Sequence, residues 1–171
     1  MTIGAISVPA YTTSTTNDYK HIISHSGARC LIASTHELIS KAIPAVLESN
    51  KCQNIIKIEE NNIEYNEPVN IINWNTLIKE NKNPPLNVKK NQNELIINLK
   101  KISETHKRTD TACIIYTSGT GGSPKGVMLS HGAMLANCAG AQELLKNLTF
   151  NMKEIRFLSW LPLSHSYEHT L

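Results

Sequence analysis

The residues best suited to chemistry lie between Tyr116 and Gly126, in the run YTSGTGGSPKG. Gly119, Gly121 and Gly122 carry no Cβ, so their backbone N–H groups stand open to a ligand, and Thr117, Ser118, Thr120 and Ser123 add hydroxyl donors around them. Lys125 contributes a compact positive charge that can be aimed at phosphate. Such a loop can wrap a polyanion; the alternative is a flexible glycine-rich turn that binds nothing. A Walker A loop, G-x-x-x-x-G-K-[ST], would need glycine at 124 and serine or threonine at 126, where this chain has Pro124 and Gly126. Proline has no N–H to offer a phosphate and Gly126 has no hydroxyl for magnesium, which excludes the ordinary nucleoside-triphosphatase cradle. A second pattern stands near Leu171. His165-Ser166-Tyr167-Glu168-His169 fits H-x-x-E-H, in which two histidines one helical turn apart hold zinc and the glutamate activates water. No third ligand follows it in the chain, which counts against a zinc hydrolase.

Around the loop, strand and helix patterns alternate. Ala5 to Val8 reads as a strand closed by Pro9; Asn17 caps a helix through Tyr19, Ile22 and Ile23 that stops at Gly27; Arg29 to Ala33 is a short buried strand. Thr35 caps a helix whose Leu38, Ile39, Ala42, Ile43, Val46 and Leu47 keep helical spacing, with a kink expected at Pro44, and Ile55 to Ile58 returns to strand. From 61 to 93 Asn, Lys and Glu dominate and Pro84-Pro85 interrupts, so an irregular surface excursion is expected, with one short helix near Trp74 to Lys79. A helix through Leu95, Ile96 and Leu99 leads by a polar turn, Thr105 to Asp110, into the strand Thr111 to Tyr116 that feeds the loop. Beyond the loop, Ser130 caps a helix from Gly132 to Lys146, and Phe157 to Leu161 forms a last strand before Pro162. Met128, Met134 and Trp160 read as core. Apolar strands alternating with helices predict an α/β fold on a largely parallel sheet with flanking helices.

The 171 residues are 40% hydrophobic, enough for a core, and suit one domain or part of one. The net charge of +3 is spread along the chain and aromatics make up 5%, so neither a basic stripe nor a stacking platform argues for a nucleic-acid partner. Cys30, Cys52, Cys113 and Cys138 lie far apart without a Cys-x-x-Cys pair, which predicts buried, reduced thiols. No cationic head precedes an apolar run near Met1, and no segment approaches the ~18 apolar residues of a membrane span, so a cytoplasmic location is expected.

Taken whole, Tyr116 to Val127 resembles the phosphate-loop signature of the adenylate-forming superfamily, Y-T-S-G-T-T-G-x-P-K-G-V, and departs from it at Gly121, where the signature has a second threonine. That superfamily contains acyl-CoA synthetases, luciferases and the adenylation domains of peptide synthetases. VMLSHGA, Val127 to Ala133, is similar to the continuation of that signature into a helix, and Leu161 to His169 is similar to a downstream L-P-L-x-H block. The Ser-His-x-x-Glu form of the block is nearest to long-chain fatty acyl-CoA synthetases, as is Gly4 to Tyr11, which resembles their upstream G-A-x-x-V-P-x-Y segment. The stretch 61–93 carries almost none of the likeness.

The resemblance implies part of the N-terminal large domain of an ATP-dependent fatty acid–CoA ligase. In that family a carboxylate attacks the α-phosphate of ATP, and the acyl group of the resulting acyl-adenylate passes to the thiol of coenzyme A. Thr117, Ser118, Gly119, Thr120, Gly121, Gly122, Ser123 and Lys125 would then hold the β- and γ-phosphates. Lys125 and His165 would be catalytic, His165 on the acyl side, and Thr120 would stand beside Mg2+. A fatty acid is the implied substrate, and peripheral membrane contact of a full-length enzyme goes with it. Residues 1–171 are expected to be an incomplete AMP-binding (adenylation) domain, its partner being the missing remainder. The Y-G-x-T-E motif, the ribose-binding aspartate and the lysine-bearing lid would lie beyond Leu171, so the isolated chain is expected to be inactive. The alternative is a non-catalytic module for nucleotide-phosphate binding or protein interaction.

Overall fold

The computed structural model describes residues 3–61, 63, 65, 68–82, 92–117 and 123–149. The expected strand Phe157–Leu161 with Trp160, the segment His165–His169, and Ser118 to Gly122 lie outside them. The chain divides into two units, Thr12–Lys100 and a second that joins Met1–Tyr11 to Lys101–Leu171.

In the first unit, helix α1, Thr16–Ser26, is capped by Thr15, not by the expected Asn17. Thr15 Oγ1 accepts from the Asp18 N–H at 3.2 Å, and the Asp18 carboxylate accepts from the Thr15 N–H at 2.7 Å, which satisfies two otherwise orphaned donors. Asn17 has Lys20 three residues on, which cannot return such a bond. Gly27 ends the helix in the left-handed region, φ 67°, its N–H bonded to the Ile23 carbonyl. Strand β1, Cys30–Ala33, follows, and then α2, His36–Glu48, capped by Thr35 as expected and unbroken through Pro44. Tyr19, Ile22 and Ile23 of α1 are buried, as are Ile39, Ala42, Ile43, Ala45 and Val46 of α2, and these two stripes pack against each other to form the core. Leu47 falls off the stripe and is half exposed.

Strand β2, Asn54–Lys57, lies between β1 and β3, Asn70–Asn73, in a parallel sheet of order β1-β2-β3. Ile55 at its centre is fully buried. Strand β3 and helix α3, Trp74–Lys82, fall inside 61–93, where composition suggests an irregular excursion with one short helix. The asparagines there make specific bonds rather than a loop. Asn70 Nδ2 donates to Asn54 Oδ1 across the strands at 2.7 Å, and Asn73 Oδ1 accepts from the Asn75 N–H at 2.8 Å at the start of α3. Helix α4, Gln92–Thr105, carries the chain into the second unit.

There β4, Thr111–Thr117, and β5, Lys125–Ser130, pair antiparallel, and helix α5, His131–Thr149, follows. Strand β5 is absent from the sequence-based expectation, although Val127-Met128-Leu129 has the composition of a strand. The expected strand Ala5–Val8 reduces to one parallel bridge, Ser7 to Cys113. Ser7 donates to the Ala112 carbonyl and accepts from the Ile114 N–H, and the next residue placed to donate is Pro9, which has no N–H. The fold is α/β, with a parallel sheet in one unit and an antiparallel hairpin in the other.

Two side-chain expectations change. Cys30, Cys52, Cys113 and Cys138 are all free thiols, but only Cys52 and Cys113 are buried; Cys30 and Cys138 are exposed. Met128 is not core: it is 70% exposed on β5, while Met134 on α5 is partly buried with its sulfur 4.0 Å from Cys113 Sγ.

Candidate functional site

The glycine-rich loop connects two antiparallel strands. Register pairs Thr117 with Lys125 as the last pair of the β4–β5 ladder, and residues 118–124 lie between them in the chain. Directly opposed residues of an antiparallel pair point to the same face with Cβ atoms ~5 Å apart. The Thr117 hydroxyl and the Lys125 ammonium therefore share one face at the mouth of the loop. Both are exposed, as is Ser123, and Lys125 makes no ion pair with another described residue. A charged donor and two hydroxyls thus stand exposed around the loop.

Strand β4 is rigid support for this mouth. Ala112, Cys113, Ile115 and Tyr116 are buried, which covers both of its faces. The next pair inward is Tyr116 with Gly126. A Cβ on Gly126 would stand 2.9 Å from Ile114 Cγ2 and 3.2 Å from Tyr116 Cζ, so the aromatic ring occupies the space that any side chain at 126 would need. Gly126, a departure from Walker A and a matched position of the phosphate-loop signature, is the residue that lets Tyr116 pack across the hairpin. The signal for it was the Tyr-to-Gly spacing across the loop, but the spacing is informative only once β5 is known to be a strand.

The helix after the hairpin does not face the loop with free amides. In the first turn of α5 the His131 N–H bonds to the Asp110 carbonyl at 3.0 Å, the Gly132 N–H to the Arg108 carbonyl at 2.7 Å, and the Ala133 N–H to Ser130 Oγ at 3.2 Å. Ser130 is the expected cap. A Walker cradle runs strand, loop, helix and uses the helix N-terminus for phosphate; here the chain runs strand, loop, strand, and the following helix terminus is already satisfied. Geometry agrees with the exclusion drawn from Pro124 and Gly126.

Of the other expected site residues, Ser118, Gly119, Thr120, Gly121, Gly122 and His165 lie outside the described residues, and so does the H-x-x-E-H pattern. The residues at the mouth fit a nucleotide polyphosphate by their donor chemistry: a cation, hydroxyls and a glycine-rich backbone. The magnesium expectation rests on Thr120 alone, and among the described residues no three His, Cys, Asp or Glu side chains converge on a point. Burial pushes the Cys52 and Cys113 thiols above their ordinary values, so neither is a ready nucleophile. No helix among the described residues is long and apolar enough to cross a membrane.

A family model described as AMP-binding enzyme matches residues 1–171. Long chain acyl-CoA synthetase 6, peroxisomal, of Arabidopsis thaliana is 45% identical over 62 residues, 36% of this chain and 8% of that protein. Long-chain-fatty-acid–CoA ligase ACSBG2 of Homo sapiens is 28% identical over 166 residues, 95% of this chain and 22% of that protein. The chain spans less than a quarter of the length of these relatives. Among solved structures, the anthranilate CoA ligase AuaEII in complex with anthranoyl-AMP superposes with a TM-score of 0.55 at 20% identity, over 80% of this chain and 22% of that one. The luciferase-like enzyme from the nonluminescent Zophobas morio mealworm gives 0.53 at 14% identity, over 82% of this chain and 28% of that one. At those identities the likeness is one of fold.

Proposed function

Because this chain belongs to the AMP-binding enzyme family, we propose that it forms the nucleotide-phosphate-binding part of an ATP-dependent fatty acid–CoA ligase. The observation that carries the proposal is the hairpin register, which sets Thr117 opposite Lys125 at the mouth of the glycine-rich loop. In the proposed reaction the fatty-acid carboxylate attacks the α-phosphorus of ATP and expels pyrophosphate, and the coenzyme A thiol then displaces AMP from the acyl-adenylate. The attacking and attacked groups are both negative, so the work of the protein is to draw charge from the departing phosphates. Lys125 supplies the charge at the mouth. The hydroxyls of Thr117, Ser118, Thr120 and Ser123 and the amides of Gly119, Gly121 and Gly122 supply donors, Thr120 would hold Mg2+, which would offset phosphate charge, and His165 serves the acyl side.

Gly121 removes a hydroxyl that the family signature carries. Loss of one preorganised donor at such a site costs about 3 kcal/mol, on the order of a hundredfold in rate, unless the Gly121 amide takes its place. Fatty acid as substrate draws support from the names of the relatives. Peripheral membrane contact of the longer enzyme and a cytoplasmic location rest on resemblance and composition.

Equilibrium dialysis of the 171-residue chain against MgATP tests the site. Lys125→Ala removes one charged hydrogen bond, worth about 1.5–3 kcal/mol, so binding should weaken roughly ten- to hundredfold. Equal binding by parent and variant would remove Lys125 from the site. With a fatty acid, ATP and coenzyme A the isolated chain should form no thioester, and detectable acyl-CoA would overturn that part. Reading the coding region past Leu171 decides between a portion of a ligase and a stand-alone phosphate-binding module: an in-frame Y-G-x-T-E motif supports the former.

A further inference from the structure

We propose that His21 and His25 on α1 bind a divalent transition-metal ion of the zinc, nickel or copper class. The two residues stand four apart on one helix, so their side chains lie one above the other on the same face. Their rings are stacked, with centroids 5.3 Å apart and planes inclined by 23°. Imidazole nitrogen is the preferred protein donor for this class of cation, and the helical i, i+4 spacing is the one at which two imidazoles chelate a single ion.

The platform beneath the pair is stiff. The Thr15–Asp18 capping box holds the start of the helix and the left-handed Gly27 its end. Tyr19, Ile22 and Ile23 anchor the other face in the core, so the His21–His25 face cannot roll inward. His25 lies in the last turn, where the negative end of the helix dipole favours a cation.

Both histidines line a cavity of about 460 Å³ with Lys20, Ser24, Glu48 and Ser49. The carboxylate of Glu48 faces the same space while paired with Lys20. Among the described residues no three ligating side chains meet at one point. The protein therefore supplies two nitrogens, and water completes the coordination. An ion bridging His21 and His25 ties the last two turns of α1 together.

Calorimetric titration of the full 171-residue chain with zinc chloride tests the site. One equivalent of zinc should bind and raise the melting temperature with zinc concentration. Removing even an outer partner of a metal ligand typically weakens binding ten- to a hundredfold, so His25→Asn should weaken it by at least about tenfold. His25 is exposed, which leaves the fold intact in the variant. His25→Cys, which keeps a zinc ligand in place, should restore affinity, whereas a loss caused by unfolding would not be restored. His165→Ala should leave this equivalent unchanged. Zinc lost on His165→Ala and retained in His25→Asn would overturn the proposal in favour of the H-x-x-E-H segment, and no binding at millimolar zinc would overturn it outright.

Discussion

Replacing Gly126 by alanine tests the packing that supports the loop. The new Cβ would lie 2.9 Å from Ile114 Cγ2, 3.2 Å from Tyr116 Cζ and 3.4 Å from the Tyr116 hydroxyl. Comfortable carbon contacts are ~3.5–4.0 Å, so the first two overlap and something must move. Ile114 is branched at Cβ and stiff about χ1, and Tyr116 is 6% exposed with its ring enclosed. Overpacking a close contact of this kind costs about 1–3 kcal/mol, a factor of roughly 5 to 150 in the folded-to-unfolded ratio. Sign is the sharper readout. The backbone at 126 is not left-handed, so alanine meets no torsional strain there, and in open space the exchange would be stabilising by about 0.4–1 kcal/mol through the unfolded chain. Gly140 on α5 supplies that comparison: nothing stands within 4 Å of its Cβ position, and Gly140→Ala should gain up to ~1 kcal/mol of helix propensity. Urea unfolding of the 171-residue chain followed by circular dichroism measures both, and amide exchange localises the effect to β4 and β5. Displacing Tyr116 also shifts the neighbouring Thr117–Lys125 pair, so MgATP binding should weaken in Gly126→Ala and not in Gly140→Ala. If Gly126→Ala is as stable as the parent, with unchanged exchange along the hairpin, the packing argument fails.

Hydrogen bonds from the backbone and then the side chain of Thr15 hold the Asp18 carboxyl below its ordinary value. Its contribution is therefore present above the unfolded pKa of about 3.9 and lost as pH falls further. Thr15→Ala should destabilise the chain by about 1 kcal/mol at neutral pH, and the gap between parent and Asp18→Asn in urea titrations should narrow as pH falls below the unfolded carboxylate range. Ser7 Oγ is buried without a hydrogen-bond partner among the described residues, so Ser7→Ala should leave melting temperature equal or higher, and a fall would show that the hydroxyl is satisfied. Thiol labelling of the native chain should modify Cys138 first and reach Cys52 and Cys113 only on unfolding; early labelling of Cys113 would contradict its burial in β4.

What could be read from the amino acids alone was local. Thr35 as a cap, Gly27 as a stop, the apolar stripe of α2 and the buried run of β4 each follow from residues within one or two turns of each other. The loop chemistry was legible for the same reason, since Pro124 and Gly126 exclude a Walker cradle by what their own atoms lack. Tertiary structure decided the rest. Strand β3 pairs with β2 in a parallel ladder, with Asn70 meeting Asn54 across it, a pairing invisible in a run of Asn, Lys and Glu. Ser7 makes one bridge and not a strand because its partner strand offers bonds that Pro9 cannot return. Thr117 and Lys125 become neighbours only when β5 folds back on β4, and Gly126 gains its purpose only when the Tyr116 ring lies over it. Contacts across a hairpin depend on register, and register is a property of two segments together that neither carries by itself.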